Sequence, residues 1–568
     1  MHDLAKEMTL IRLISMGSAL ITIFLISGSV TDPVNVPKLL LLGAIGFSVI
    51  AVLLQSGFLQ LVKANRQVII FVALFFLAMI SSVSLSKLPM SQNFYGAYGR
   101  NSGLLTYMCL CTVLIGTLAI QANENLKKIL IGLGAAGSVN LVYCLWVILF
   151  GDFIGWSNPY GNILGTLGNP NFIGAFLGIF FSVCMAFVFD TKTEVKVKLV
   201  LSLVSLLTFF EIYKSHAIQG RVVSALGLGV VLFFAIRSRF SILFTSLYSL
   251  VFVLAGAFAA LGALQVGPLT QYIYKYSVSL RGQYWLAGWN AGVENPIHGV
   301  GMDGFGDWYR RARDVQALTT PGVNTVVNAA HNVFMDMFAF GGWPLLLTYS
   351  AIMLLAGVSL IKVALRSKAY DPIFVAISVA WLGYQLQSII SINQIGLAIW
   401  GWVLTGALIA YERNTRNSSA GGDAKTIPSP RSKGKNLTQG SVVSSGLVAG
   451  IGMVVGAIIA SPPLASDTKW RSAQVAQSVS LLEASLTPSF MNPQHTTRYL
   501  LSIQAFEGSN LPDLAHKYAQ AAVKFDPENF ELWKVYYLLS ASTPDEKSIA
   551  LQNMKRLDPL NPDVTTTQ

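Results

Sequence analysis

RGQYWLAGWNAGVENPIHGVGMDGFGDWYRRARD, residues 281–314, and VVNAAHNVFMDMFAFGGWP, residues 326–344, lie between two long apolar runs. They concentrate what the rest of the chain lacks: Arg281, Arg310, Arg311 and Arg313, the histidines His298 and His331, and Asp303, Asp307 and Asp314. The flanking runs are long enough to cross a bilayer core of about 30 Å as helices. A polar stretch between two such runs reads as a large extramembrane loop, residues 266–342, of a membrane protein. It is where chemistry is expected.

The composition agrees. The chain has 568 residues, 53% hydrophobic and 12% charged, whereas a soluble protein carries about twice that charged fraction. A net charge of +12 invites a nucleic-acid reading. Most of the basic residues, however, sit in short connections between apolar runs, where a membrane protein needs them for orientation, so no nucleic-acid partner is expected. Cys109, Cys111, Cys144 and Cys184 all fall inside apolar runs and form neither a disulfide framework nor a metal-spaced cluster.

Run length predicts an all-α polytopic membrane protein of about 13 transmembrane helices, near 10–28, 38–57, 68–87, 104–121, 129–150, 170–189, 198–213, 221–237, 241–265, 343–363, 372–393, 396–411 and 441–460. The first reads as an uncleaved anchor, since a second span follows at once and no small-residue cleavage site is clear. Alternate connections are basic: Lys6 and Arg12; Lys63 and Arg66; Lys127 and Lys128; Lys192, Lys196 and Lys198; Arg237 and Arg239; Lys362, Arg366 and Lys368. The connections between them are nearly free of Lys and Arg, with Arg100 and Lys214 the main exceptions. The positive-inside rule then makes the N-terminus cytoplasmic and the 266–342 loop external.

Residues 1–411 are thus expected to form the membrane body. Residues 412–440, rich in Gly, Ser, Pro and basic side chains, read as a disordered cytoplasmic linker. The span 441–460 delivers a soluble helical tail, 461–568, to the outer side. In the tail Asp526-Pro527 recurs as Asp558-Pro559, 32 residues on. That is close to the tetratricopeptide period, though a simple helical hairpin domain fits equally well.

Four outward elements carry polar residues that a bilayer protein does not place idly. They are 93–105 with Arg100, 161–176 with Asn169-Pro170-Asn171, 214–227 with Arg221, and the large loop. Arginine suits phosphate because its planar fork donates in pairs and stays charged. Arg100, Arg221 and Arg281 are therefore candidates to hold a lipid-linked phosphate or pyrophosphate, and headgroup snorkelling is the other reading, favoured for Arg100 alone. His331 is a candidate base for an attacking hydroxyl, or a capping residue at a helix start. Trp285, Trp289, Trp308 and Tyr309 suit either sugar stacking or an interfacial belt.

These residues also form a pattern. The run R-x-x-Y-W-x-x-G with P-x-x-G-V-G-x-x-x-F covers Arg281, Tyr284, Trp285, Gly288, Pro296, Gly299, Val300, Gly301 and Phe305. It is followed by His331, Asn332, Gly341 and Gly342 in A-H-N-x8-G-G. With the upstream G-T-L-G-N-P-N-F and the Gln219 to Arg221 run, this resembles the O-antigen ligase and Wzy polymerase superfamily over roughly 30 to 410. Where many members carry an acid near the turn after the His-Asn pair, this chain has Phe338-Ala339-Phe340, with Asp336 the nearest acid.

The resemblance implies a GT-C-like enzyme of the bacterial inner membrane. It would move a glycan from undecaprenyl pyrophosphate to an acceptor hydroxyl at the periplasmic face, with no metal and no cofactor. His331 would activate the acceptor, Arg221 and Arg281 would hold the pyrophosphate, and Arg100, Asn169, Asn171, Tyr284, Trp285 and Asn332 would complete the substrate site. Lipid A–core, another glycan repeat or a protein hydroxyl is the acceptor in the ligase, polymerase and protein-modifying branches. The tail is a place for a protein acceptor or partner. Two readings from other classes stay open: a transporter of a lipid-linked glycan, to which Glu211 within a span lends support, and a scaffold whose tail recruits partners.

Overall fold

Each of the thirteen apolar runs coincides with a helix in the computed structural model, which describes residues 2–55, 58–273, 276–420 and 443–565. The described residues hold no sheet, only an isolated bridge between Ser489 and Asn492. Among them, nine helices are long and apolar enough to span a bilayer. The number is ten if Ser445–Ala460 and Pro462–Ala476, bent by 46°, count as one. The protein is an all-helical multi-pass membrane protein. The shortfall from 13 has local causes. His2–Ile23 carries Lys6, Glu7 and Arg12, and Val195–Lys214 carries Lys196, Lys198, Glu211 and Lys214. Leu104–Leu118 has only 15 residues and Ser445–Ala460 only 16.

Ile395–Ala420 is the central helix. Its apolar window is buried throughout, and Trp400 and Trp402 are fully enclosed. It runs on to Ala420, so the first part of the expected linker is helix rather than disordered chain. Residues 421–442 lie outside the described residues. The opposite extreme is Ile242–Ala263, whose side chains are almost all exposed, as on a helix that lipid surrounds. The four cysteines are buried and free.

Small residues bring helices together where lipid provides no hydrophobic drive between them. A Cβ on Gly456 would stand 2.2 Å from the Gly43 carbonyl, so Ser445–Ala460 packs backbone to backbone against Asn35–Gln55. A Cβ on Gly220, in the Gln219 to Arg221 run, would stand 2.5 Å from the Gly174 carbonyl, which sets Ile218–Arg239 against Pro170–Val188.

The connections sort into two ends. At one, Lys6 donates to the Gln55 carbonyl and Arg239 to the Phe189 carbonyl. Arg366 pairs there with Glu412, and Arg413 donates to the Leu118 and Ile120 carbonyls. These are the ends that carry the excess of Lys and Arg. Elsewhere, the connections 24–34, 86–103, 151–169 and 391–394 meet the 266–342 loop around one cavity. Beneath it Lys38, fully buried, donates to the carbonyls of Ile21, Thr22 and Phe24 and closes the C-terminal end of His2–Ile23.

Candidate functional site

The loop 266–342 is largely folded. It forms Tyr276–Glu294, Phe305–Ala312 and the short turn Val315–Leu318, then enters Val333–Arg366. That last helix is broken at Gly341 and Gly342; Gly342 has φ 63 and ψ −158, a region essentially reserved for glycine. The break frees two carbonyls. The Val300 N–H donates to Ala339 at 2.8 Å and the Gly301 N–H to Phe340 at 3.1 Å, while the Trp343 N–H reaches back to Pro296 at 2.8 Å. The Gly-Val-Gly run and the Gly-Gly pair are thus two halves of one clasp. Trp289 packs on Phe338 and Trp343 beside it.

The short helical piece before the break presents His331. Asn332 caps it, with Oδ1 accepting from the N–H of Phe334 at 3.0 Å and of Met335 at 3.4 Å. The Ala330 N–H donates to Asp336 Oδ1 at 2.8 Å. His331, between these two anchors, has φ 55. Its ring stands 5.6 Å from that of Tyr284, and among the described residues its nitrogens have no hydrogen-bond partner.

His331 faces a cavity of about 690 Å³. Arg100, Arg281, Asn169 and Asn171 line it too, so five expected site residues from three separate connections share one space. Asn169 also caps Pro170–Val188, accepting from the Asn171 N–H at 2.8 Å. The lining also includes apolar Val30, Leu164, Leu167 and Phe172 and polar Asn35, Asn393 and Gln394.

The charges are unevenly matched. Arg100 is buried, with Nε 3.3 Å from Asp303 and a terminal nitrogen 3.9 Å from Asp336. The Nε makes no aligned hydrogen bond, so the Asp303 contact is Coulombic. Asp303 also accepts from the Ala97 N–H at 2.8 Å and from the Ser102 hydroxyl at 2.9 Å, which fixes the 96–102 turn. Arg281 is half-buried and has no acidic or hydrogen-bonding partner among the described residues, and burial lowers its pKa. Burial and then the charges of Arg281 and Arg100 push the His331 imidazole down to about 4. It is therefore neutral at physiological pH.

Other expectations need correction. Arg221 is not on this cavity: it lies exposed on Ile218–Arg239, because Gly220 and the buried Gln219 take the packed face. Tyr284 packs behind His331, Asn332 is a helix cap, and Trp285 is half-buried away from the lining. Tyr309 is core, and Trp308 is covered by Arg311, 3.9 Å from its ring. Glu211 is fully buried, and its carboxylate oxygens have no hydrogen-bond partner among the described residues.

The loop arginines Arg310, Arg311 and Arg313 face the tail. Arg310 pairs with Glu531 and, at 2.9 Å, with Asp558; Arg313 pairs with Asp558 at 2.8 Å, and Arg311 with Glu528 at 2.7 Å. After Pro462–Ala476 and Val479–Ser485, the tail holds two helical pairs, Thr496–Gly508 with Pro512–Phe525 and Phe530–Leu538 with Pro544–Leu557. Asp526 and Asp558 end the second helix of each pair with nearly the same backbone angles, so the repeated Asp-Pro has a structural counterpart. The cavity residues not expected from the sequence include Asp32, Asn35, Trp156, Asn393, Gln394 and the tail's Arg471. No local pattern marks them.

No family model matches this chain, and no curated protein matches it.

Proposed function

We propose that the protein is a membrane glycosyltransferase of the O-antigen ligase type, with a GT-C-like body of thirteen crossings. Its cavity would hold the pyrophosphate of an undecaprenyl-pyrophosphate-linked glycan at the periplasmic face of the bacterial inner membrane. The observation that carries this reading is the gathering of His331, Arg281, Arg100, Asn169 and Asn171 around one cavity that apolar side chains also line. An amphiphilic phosphate ester needs both kinds of lining. The thirteen crossings are supported by the meeting of basic connections at one end and of the others around the cavity. Only an odd number of crossings puts the N-terminus and the tail at opposite ends.

The chemistry follows from the groups present. The acceptor hydroxyl oxygen attacks the anomeric carbon as the bond from that carbon to the pyrophosphate oxygen breaks, and the hydroxyl proton passes to His331. The leaving pyrophosphate carries away the bonding pair, and the Arg281 guanidinium stabilises its charge. Lipid A–core is the proposed acceptor; a second glycan repeat or a protein hydroxyl fits the same site. The test uses a host lacking its own ligase and supplied with lipid-linked O-antigen. Wild type, His331→Ala and Arg281→Ala are compared by glycan blot of lipopolysaccharide and of total protein. Glycan on lipid A–core that is lost by at least about a hundredfold in both variants, at equal expression, is the expected result. Glycan on protein bands would move the assignment to the protein-modifying branch. Full activity in both variants would sink the assignment of these residues.

A further inference from the structure

The tail does more than hang from its span. Its first helix, Pro462–Ala476, is pinned to the connection 24–34. Asp467 Oδ2 accepts from the backbone N–H of Thr31 at 2.8 Å and of Asp32 at 3.0 Å, and Asp467 Oδ1 takes the Thr31 hydroxyl. Trp470 is buried against Tyr98 and His495, with ring centres 5.7 Å and 5.5 Å away. One helical turn beyond Asp467, on the same face, Arg471 reaches the cavity wall.

Arg471 is half-buried and, among the described residues, makes one hydrogen bond, from Nε to the Gly28 carbonyl at 3.3 Å. The terminal nitrogens of its guanidinium meet no carboxylate among the described residues. Asp32, the acid on the same wall, is turned to its own backbone: Oδ1 accepts from the N–H of Val34 at 3.0 Å and of Asn35 at 2.9 Å. Arg100 is already matched by Asp303 and Asp336. Among the described residues, the arginines on the cavity without an ion pair are therefore Arg281, from the loop, and Arg471, from the tail. A pyrophosphate offers two phosphate groups to two such forks.

We propose that Arg471 is a phosphate-binding residue of this cavity, so that the tail helix Pro462–Ala476 is a wall of the site and not an appendage. This rests on the donor assignment above. It adds that the donor's pyrophosphate lies between the membrane body and the tail, and that a body without its docked tail binds the donor poorly.

The test is binding of undecaprenyl pyrophosphate, with undecaprenol as the phosphate-free comparison, to the full-length protein in lipid nanodiscs. The variants are Arg471→Ala, Arg471→Lys and Arg281→Ala, and limited proteolysis reports whether the tail stays docked. Wild type should prefer the pyrophosphate. Arg471→Ala should weaken that preference by about tenfold to a hundredfold, the range for one charge-assisted contact. Arg471→Lys should recover part of it, and the tail should stay as protected as in wild type. Retained affinity in Arg471→Ala beside a loss in Arg281→Ala would overturn the role of Arg471 and leave the donor assignment standing. Loss of affinity with a protease-sensitive tail would overturn it too, because Arg471 would then be a docking residue. No preference for pyrophosphate in wild type would remove the donor assignment and this inference together.

Discussion

At the scale of the residue, His331 is tuned by what surrounds it. Burial comes first, then the charges of Arg281 and Arg100, and together they bring the imidazole down to about 4. With the proposed donor bound at Arg281, its anionic pyrophosphate would offset that charge, and the imidazole would become a stronger base. The sign of the pH dependence follows. The base form is lost on protonation, so kcat/KM, which reports the free enzyme, should stay level as pH falls and drop only within about one unit of the free-enzyme value. The limb in kcat, which reports the complex, should lie at higher pH. Arg281→Gln removes one depressing charge and should shift the kcat/KM limb upward, whatever it does to the absolute rate. Glycan transfer measured across pH in both proteins checks this. A wild-type limb at the ordinary imidazole value, unmoved by Arg281→Gln, would mean that His331 is not the base. The histidine itself was legible from its place in an Ala-His-Asn run at a helix start. Its environment was not, because Arg100 lies 231 positions away in sequence.

At the scale of the element, the broken helix Val333–Arg366 positions the site. Its first piece carries Asn332 and Asp336 and thereby aims His331; its second piece is a membrane span. The apolar run from 343 marked where the span begins, and the kink falls at that boundary. The clasp across it was not legible, because the pairing of Pro296, Val300 and Gly301 with residues 339–343 is main chain to main chain and leaves no side-chain pattern. Gly342→Ala tests the clasp. The alanine would occupy backbone angles that cost about 1–3 kcal/mol, and its Cβ would stand 2.3 Å from the Pro296 carbonyl, so the two strands of the clasp must part. The expected outcome is a lower unfolding temperature in detergent, by at least about 2 kcal/mol of stability, and reduced transfer. Gly357→Ala on the same helix is the control. Its Cβ would meet only Trp381, at 3.5 Å, and helix propensity favours alanine there by up to about 1 kcal/mol. Equal stability of Gly342→Ala and Gly357→Ala would dispose of the clasp.

At the scale of the whole molecule, sequence and structure part company over the tail. The alternation of basic and non-basic connections was legible because each connection states its own charge, and the two ends assemble accordingly. The docking of the tail was not. Asp558 meets Arg310 and Arg313 across about 250 residues of chain, and nothing in the Arg310-Arg311-Ala312-Arg313 run itself names those partners. Asp558 and Arg313 are fully buried and Arg310 nearly so. Removing one member of a buried pair leaves the other charge uncompensated, at about 3–5 kcal/mol. In Asp558→Ala two guanidinium groups lose their shared carboxylate, and the cheapest relief is for the tail to leave the loop and let water in. Hydrogen exchange should then accelerate over 526–565 and around Arg310, while the membrane helices, held by their own core, keep wild-type protection. Asp545→Ala, an exposed acid at the start of Pro544–Leu557, should change exchange little, since a surface charge contributes under about 1 kcal/mol. Because Pro462–Ala476 joins the tail to its span and carries Arg471, Asp558→Ala should also lower glycan transfer without touching any cavity residue. Undiminished transfer from a variant whose tail exchanges freely would show that the membrane body alone completes the site.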